Sequence, residues 1–305
     1  MATAPAALFA AGALELRRLV AQGVEFDAID GHYLYPDGVA AVALGRAFGK
    51  KVVLTARGSD VTLYPKFAAP RRMLSWAMRH SAHLIAVSGG LKREMVVLGA
   101  PADKITVLRN GVDLVGFRRT DATRLRQAWA ADGPVLLSVG HLIERKGHHL
   151  AIEALTELPG WRLVIVGEGP ERERLSALAA RLGLGGRVIF AGAQPHALMA
   201  EYYSAADLLI LASSREGWAN VLLEAMACGT PVIASNIPGN PEVVQARAGG
   251  IVVDQNTPAA FAAAIRALHA DRPSPAETRA YAEDFSWDAT SMGQVEVFRA
   301  IQSRV

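Results

Sequence analysis

Short runs of apolar and β-branched residues alternate with helical stretches along the whole chain, and this alternation restricts the fold more than any other feature. Runs at 26–29, 51–55, 83–87 and 105–108 read as strands, with helices expected over 38–48, 67–79 and 91–98 between them. A second series follows at 135–139, 162–166, 187–190, 207–211 and 231–234, again separated by helices of ordinary length. Such repetition builds parallel sheets covered by helices on both faces. The polar, irregular stretch 110–121 interrupts the two series. Two α/β domains facing a cleft are therefore expected, over 1–115 and 116–286, with the helix-like tail 287–302 folding back onto the first. A length of 305 residues suffices for two such cores.

Composition narrows the functional classes. Thirty-two basic against 29 acidic residues leave a net charge of only +3, without the basic stripe of a nucleic-acid binder. Arg71, Arg72 and Arg79 fall on one expected helix, and Arg118 and Arg119 near the junction. These read as solvated faces, with contact to an anionic membrane surface or substrate as the alternative. The single cysteine, Cys228, excludes an internal disulfide and suits a reducing compartment. The alanine-rich opening lacks the basic start of a secretory leader, and no apolar run approaches membrane-spanning length. A cytoplasmic protein is expected.

In open parallel sheets, ligands bind beyond the carboxyl ends of the strands. His32, Arg57, Ser59, Asp60, Ser88 and Asn110 follow strands of the first series. His141, Arg145, Lys146, Gly167, Gly169 and Glu216 follow strands of the second. Glu216 and Glu224 stand eight apart, the first in a loop and the second one turn into a helix that starts near Ala219 or Asn220. The helix start between them offers free amides and a positive dipole end, which suit a phosphate. Carboxylates for sugar hydroxyls flanking a diphosphate cradle would suit a nucleotide sugar.

Taken singly, these residues leave simpler readings open. His32 reads as a hydrogen-bonded structural histidine or as a catalyst, and Lys146-Gly147 as a helix start or as a phosphate contact. Gly167-Glu-Gly169-Pro170 is half of a dinucleotide fingerprint, but the third glycine is missing and no acidic residue ends the next strand, where Phe190-Ala-Gly192 stands. No metal-ligand spacing occurs, and Ser88 has no nucleophile-elbow context.

Three segments together carry a resemblance. They are Val139-Gly-His-Leu-Ile-Glu-Arg-Lys-Gly147, Val166-Gly-Glu-Gly-Pro170 and Glu216-Gly-Trp-Ala-Asn-Val-Leu-Leu-Glu-Ala-Met-Ala-Cys-Gly-Thr-Pro231. They resemble the retaining glycosyltransferases of family 4, and Asn110-Gly-Val-Asp113 and Phe285-Ser-Trp287 fit as well. The similarity runs from about His32 to the end of the chain. It implies the GT-B fold, two Rossmann-like doubly wound domains, and a role in polysaccharide biosynthesis. It further implies transfer of a hexose from a nucleotide-diphosphate donor to a glycan or lipid-linked acceptor, with retention of configuration and with neither metal nor cofactor. Peripheral membrane contact is compatible with such an acceptor.

By the same resemblance, Glu216 would hold donor-sugar hydroxyls and Glu224 the ribose. Lys146 would neutralise the diphosphate, with amides near Asn220 and Val221. Gly167, Gly217 and Trp218 would line the donor pocket, and His32 would stand near the donor sugar. Arg57 and Asp60 would look toward the acceptor. Two departures stand out. His141 occupies a position where the family usually has arginine, with Arg145 as the neighbouring substitute. Relatives also carry further strands and a glycine-rich loop before the first strand here, so a truncated first domain with an exposed edge is expected. A non-catalytic remnant that binds a nucleotide sugar is the alternative reading.

Overall fold

A computed structural model describes residues 3–303, arranged as two compact units. The first comprises Met1–Asn110 with Asp288–Val305, and the second Gly111–Trp287.

The first unit runs α1 (Ala4–Ala21), β1 (Ala28–His32), α2 (Val39–Phe48), β2 (Lys51–Ala56), α3 (Ser59–Thr62), α4 (Ala68–His80), β3 (His83–Ala86), α5 (Gly89–Val97) and β4 (Ile105–Val107). Its strands pair in the order β1-β2-β3-β4, all parallel. Val53, Leu54, Leu84 and Ile85 form the buried middle of the sheet. The terminal helix Asp288–Gln302 lays Val297 and Ile301 against Val53 and Ile85. Each side chain so withdrawn from water contributes roughly 1.5–3 kcal/mol.

Two elements differ from the sequence expectation. The first strand lies at Ala28–His32, not at 26–29, so His32 ends the strand rather than following it. Its ladder with β2 runs from Ala28 opposite Lys51 to His32 opposite Thr55. At a sheet edge, polar Asp30 and His32 can alternate with inward-facing Gly31, and that pairing outweighs local hydrophobicity. The alanine-rich opening, for which no element was foreseen, forms α1, since alanine is the strongest helix former; Met1 and Ala2 lie outside the described chain.

The second unit contains α6 (Thr123–Ala128), β5 (Val135–Val139), α7 (His148–Ala154), β6 (Arg162–Val166), α8 (Arg172–Arg181), β7 (Val188–Gly192), α9 (Met199–Ala205), β8 (Leu208–Leu211), α10 (Asn220–Ala227), β9 (Val232–Ser235), α11 (Asn240–Val243), β10 (Gly250–Val253), α12 (Pro258–Ala270) and α13 (Pro275–Glu283). The sheet order is β10-β9-β8-β5-β6-β7, again wholly parallel. Leu136, Leu163, Leu208 and Ile233 pack its centre beneath Phe261 and Ile265 of α12. Strand β10 was not foreseen, because two glycines precede a run of only three apolar residues. With β5 flanked by β8 and β6, the order of strands changes direction there. The turns after β5 and β8 therefore come together at one edge.

Candidate functional site

The turn after β5 begins at Gly140 and closes in a short 3₁₀ turn, Glu144–Lys146, before Gly147 opens α7. Gly147 adopts φ 70°, and a Cβ there would stand 2.1 Å from the Ala212 carbonyl oxygen at the end of β8. Only glycine lets this turn lie so close to its neighbour. Gly167, after β6, is similarly constrained at φ 139°, with the Gly140 oxygen 1.9 Å from any Cβ. The backbone thus brings the β5, β6 and β8 turns into contact.

Lys146 Nζ donates to Glu216 Oε1 at 2.6 Å, and Ser213 Oγ donates to the same oxygen at 2.8 Å. Arg145 Nη1 reaches Glu216 Oε2 at 3.4 Å and the Arg215 carbonyl at 2.8 Å. A backbone bond from Ser214 N to the Arg145 oxygen, 2.9 Å, ties the two loops together. The Glu216 side chain is only 10 % exposed, so two cations and a hydroxyl hold it with little competition from water. Ser213 is held in turn by Ser235 Oγ, which donates to its carbonyl, and Asn240 Nδ2 donates to the Ser235 carbonyl.

Beyond Glu216, buried Gly217 and Trp218 lead into α10 at Asn220 and Val221. Gly217 packs its carbonyl against Gly239, and the Trp218 indole Nε1 is buried without a hydrogen-bond partner among the described residues. Ala219 provides no side-chain cap for α10. The positive end of the helix therefore faces this loop without a side-chain acceptor of its own at the cap. One turn further, Glu224 Oε2 accepts from Tyr203 OH at 2.7 Å. Burial raises the Glu224 carboxyl above its ordinary range against the opposing effect of that hydrogen bond. Burial and the Glu224 carboxylate push the Tyr203 phenol well up, so Tyr203 stays a donor.

His141, the family departure, stands exposed on the β5 turn, and its ring has no hydrogen-bond partner among the described residues. Beneath it, His148 Nδ1 lies 2.8 Å from Ser138 Oγ, and burial pulls its pKa down to about 4. His148 is a neutral strut of the turn.

In the first unit, Arg57 Nη2 donates to His32 Nδ1 at 2.7 Å and Arg57 Nη1 to Asn110 Oδ1 at 3.1 Å. A guanidinium only donates, so Nδ1 accepts and the ring proton sits on Nε2, which faces Asp30 Oδ2 at 3.3 Å. Gln294 Nε2 of the terminal helix supports Asp30 at 3.2 Å.

Asp60 departs from its expected place on the acceptor side. It is fully buried, and its carboxylate accepts from the backbone amides of Leu34, Arg57 and Gly58. It shapes the loop that aims Arg57, and the small loop amides, not a ligand, satisfy its charge. Sequence reasoning also missed Tyr203, Ser213 and Asp30. Ser213 had a local signal, three residues before Glu216 in one loop. Tyr203 and Asp30 had none, because their partners come from other elements.

Comparison with known proteins adds an independent line. Residues 120–285 match the family described as glycosyl transferases group 1, and residues 3–115 match Glycosyltransferase Family 4. A D-inositol 3-phosphate glycosyltransferase of Acidothermus cellulolyticus is 40 % identical over 228 residues, covering 68 % of this chain and 50 % of that protein. The lipopolysaccharide core biosynthesis glycosyltransferase LpsE of Rhizobium meliloti is 41 % identical over 141 residues, covering 46 % and 41 %. The chain spans about half the length of the curated relatives it matches. Among solved structures, Anabaena HepE in complex with UDP superposes with a TM-score of 0.84 at 23 % identity, covering 93 % of this chain and 81 % of that one. No helix among the described residues is long and apolar enough to cross a membrane.

Proposed function

The chain belongs to the group 1 glycosyl transferases and has the GT-B type of fold, two parallel-sheet α/β units; on that premise we propose that it moves a hexose from a nucleotide-diphosphate donor to a glycan or lipid-linked acceptor, with retention and without a metal. The observation that carries the proposal is the contact of Lys146 and Arg145 with Glu216 beside the start of α10.

Breaking a sugar–phosphate bond places negative charge on the departing diphosphate. Lys146, Arg145 and the positive helix end supply fixed positive charge at that place, the task a divalent cation performs in other transferases. An arriving diphosphate competes with Glu216 for Lys146 and leaves the Glu216 carboxylate to accept from sugar hydroxyls. Tyr203 occupies one oxygen of Glu224, and the other is left for a ribose hydroxyl. His32, with its proton on Nε2 and Arg57 on Nδ1, is assigned to the sugar side, and Arg57 to the acceptor side. The UDP held by HepE makes a uridine donor the first to try. The buried free thiol of Cys228 supports a cytoplasmic setting, and the arginines of α4 are the surface for any membrane contact.

The test is Glu216→Ala, assayed for transfer with a panel of nucleotide sugars. Loss of at least a hundredfold in turnover, with the circular dichroism spectrum and melting temperature unchanged, is expected. Undiminished turnover overturns the assignment.

A further inference from the structure

The opposite edge of the second sheet carries a cavity that the transfer reaction does not use. It lies where β8 and β9 begin, and is about 210 Å³ in volume. Arg119, Arg126 and Arg272 line it together with Asp207, Ser204 and Pro275. Strand β8, four residues or about 13 Å long at the usual rise, lies between it and the loop that carries Glu216.

The charges here do not balance. Asp207 is the one carboxylate in the lining, and both its oxygens are taken. Arg272 Nη1 donates to Oδ1 at 2.5 Å, and Arg126 Nη1 and Val135 N donate to Oδ2 at 3.0 and 2.8 Å. Arg126 is held further by the Ala205 and Gly133 carbonyls. Arg119 is exposed and has no ion-pair partner among the described residues. Three guanidiniums against one saturated carboxylate leave two positive charges and several unused N–H donors around one small hollow. Ser204 adds no donor, since its hydroxyl proton goes to the Ala200 carbonyl.

A neighbouring hollow that shares Arg272 and Pro273 with it has the opposite balance of charge. Its lining sets Arg247 and Arg272 against Asp271, Glu277 and Asp284, which makes it net acidic. A cavity below the roughly 300–1,000 Å³ of sites for drug-sized ligands suits a small group. Guanidinium forks match the oxygens of a phosphate.

We propose that this arginine-lined cavity is a second ligand site, binding a phosphate dianion, free or as a phosphomonoester, at the edge of the sheet remote from Glu216. It stands independently of the transferase reading, because it uses none of the residues assigned to sugar transfer.

The full chain carrying Lys146→Ala, which disables the diphosphate contact of the donor side, is titrated with inorganic phosphate by calorimetry at constant ionic strength. Binding persists in this background, and adding Arg119→Glu weakens it at least tenfold while the circular dichroism spectrum stays unchanged. Chloride at matched ionic strength gives no comparable heat. Glycerol phosphate distinguishes the sources: tighter binding than inorganic phosphate assigns the site to esters, and weaker binding assigns it to the free ion. Absence of phosphate binding in the Lys146→Ala protein, indifference to Arg119→Glu, or an equal response to chloride overturns the proposal.

Discussion

Strand β8 has an acid–cation cluster at each end, and the two are built differently. Before it, Asp207 is held by Arg126, Arg272 and a backbone amide, and Arg126 is tied further to the Ala205 and Gly133 carbonyls. Beyond it, Glu216 is held by Lys146, Arg145 and a serine, all side chains on loops. One cluster locks α6, β5 and the approach to α13 onto β8. In the other, the proposed function has Glu216 and Lys146 exchange partners when a diphosphate arrives. On that proposal, similar charges serve cohesion at one end of β8 and ligand capture at the other. What distinguishes the two carboxylates is that Asp207 accepts from a backbone amide as well as from side chains, whereas Glu216 accepts from side chains alone.

The comparison breaks first at Lys146. Lys146→Ala should lower turnover by about 10²–10³, the loss typical of one preorganised charge donor. Steady-state kinetics beside a thermal melt check it, and a large drop in melting temperature would show that Lys146 belongs to the cohesive class instead.

Asp207→Ala should do the reverse. It leaves two arginines without their carboxylate and should cost roughly 2–3 kcal/mol in urea unfolding, less than a fully buried pair because the site is partly exposed. Turnover of the folded protein should stay near wild type. Its pH dependence sharpens the point. Burial acts to raise the Asp207 carboxyl, but bonds from Val135, Arg272 and Arg126 outweigh it and hold the group below its usual range. Its contribution is therefore complete above the ordinary aspartate value and lost as pH falls toward the depressed one. The stability gap between wild type and variant should narrow from pH 6 to pH 3.

The smallest effect is expected at Glu224. Burial raises its carboxyl, so the folded state favours the protonated form, and that favourable contribution is lost as pH rises through the raised value. Near neutral pH the buried charge is a cost. Glu224→Gln should match or exceed wild-type stability at pH 7 by up to about 1 kcal/mol. Its KM for the donor should rise about tenfold. Loss of stability in this variant would place Glu224 with Asp207 rather than with Glu216.

Much of this was legible in local patterns. Nine of the ten strands among the described residues were visible as short apolar runs, and the loop positions of Lys146 and Glu216 followed from chain order alone. The first strand was misplaced because an edge strand tolerates polar residues, and β10 was missed because its run is short. Asp60 looked like a ligand-facing acid because it follows a strand. Its burial depends on three amides, one of them 26 residues away.

From the order of residues came the alternation that makes parallel sheets, the glycines that permit close turns, and the placement of both glutamates about the start of α10. These are local consequences of backbone sterics and hydrophobic periodicity. Which carboxylate meets which cation was decided only by the packed chain. Lys146 and Glu216 are 70 residues apart and Arg126 and Asp207 are 81 apart. They meet because β5 lies beside β8, a non-local pairing within the sheet of the second unit.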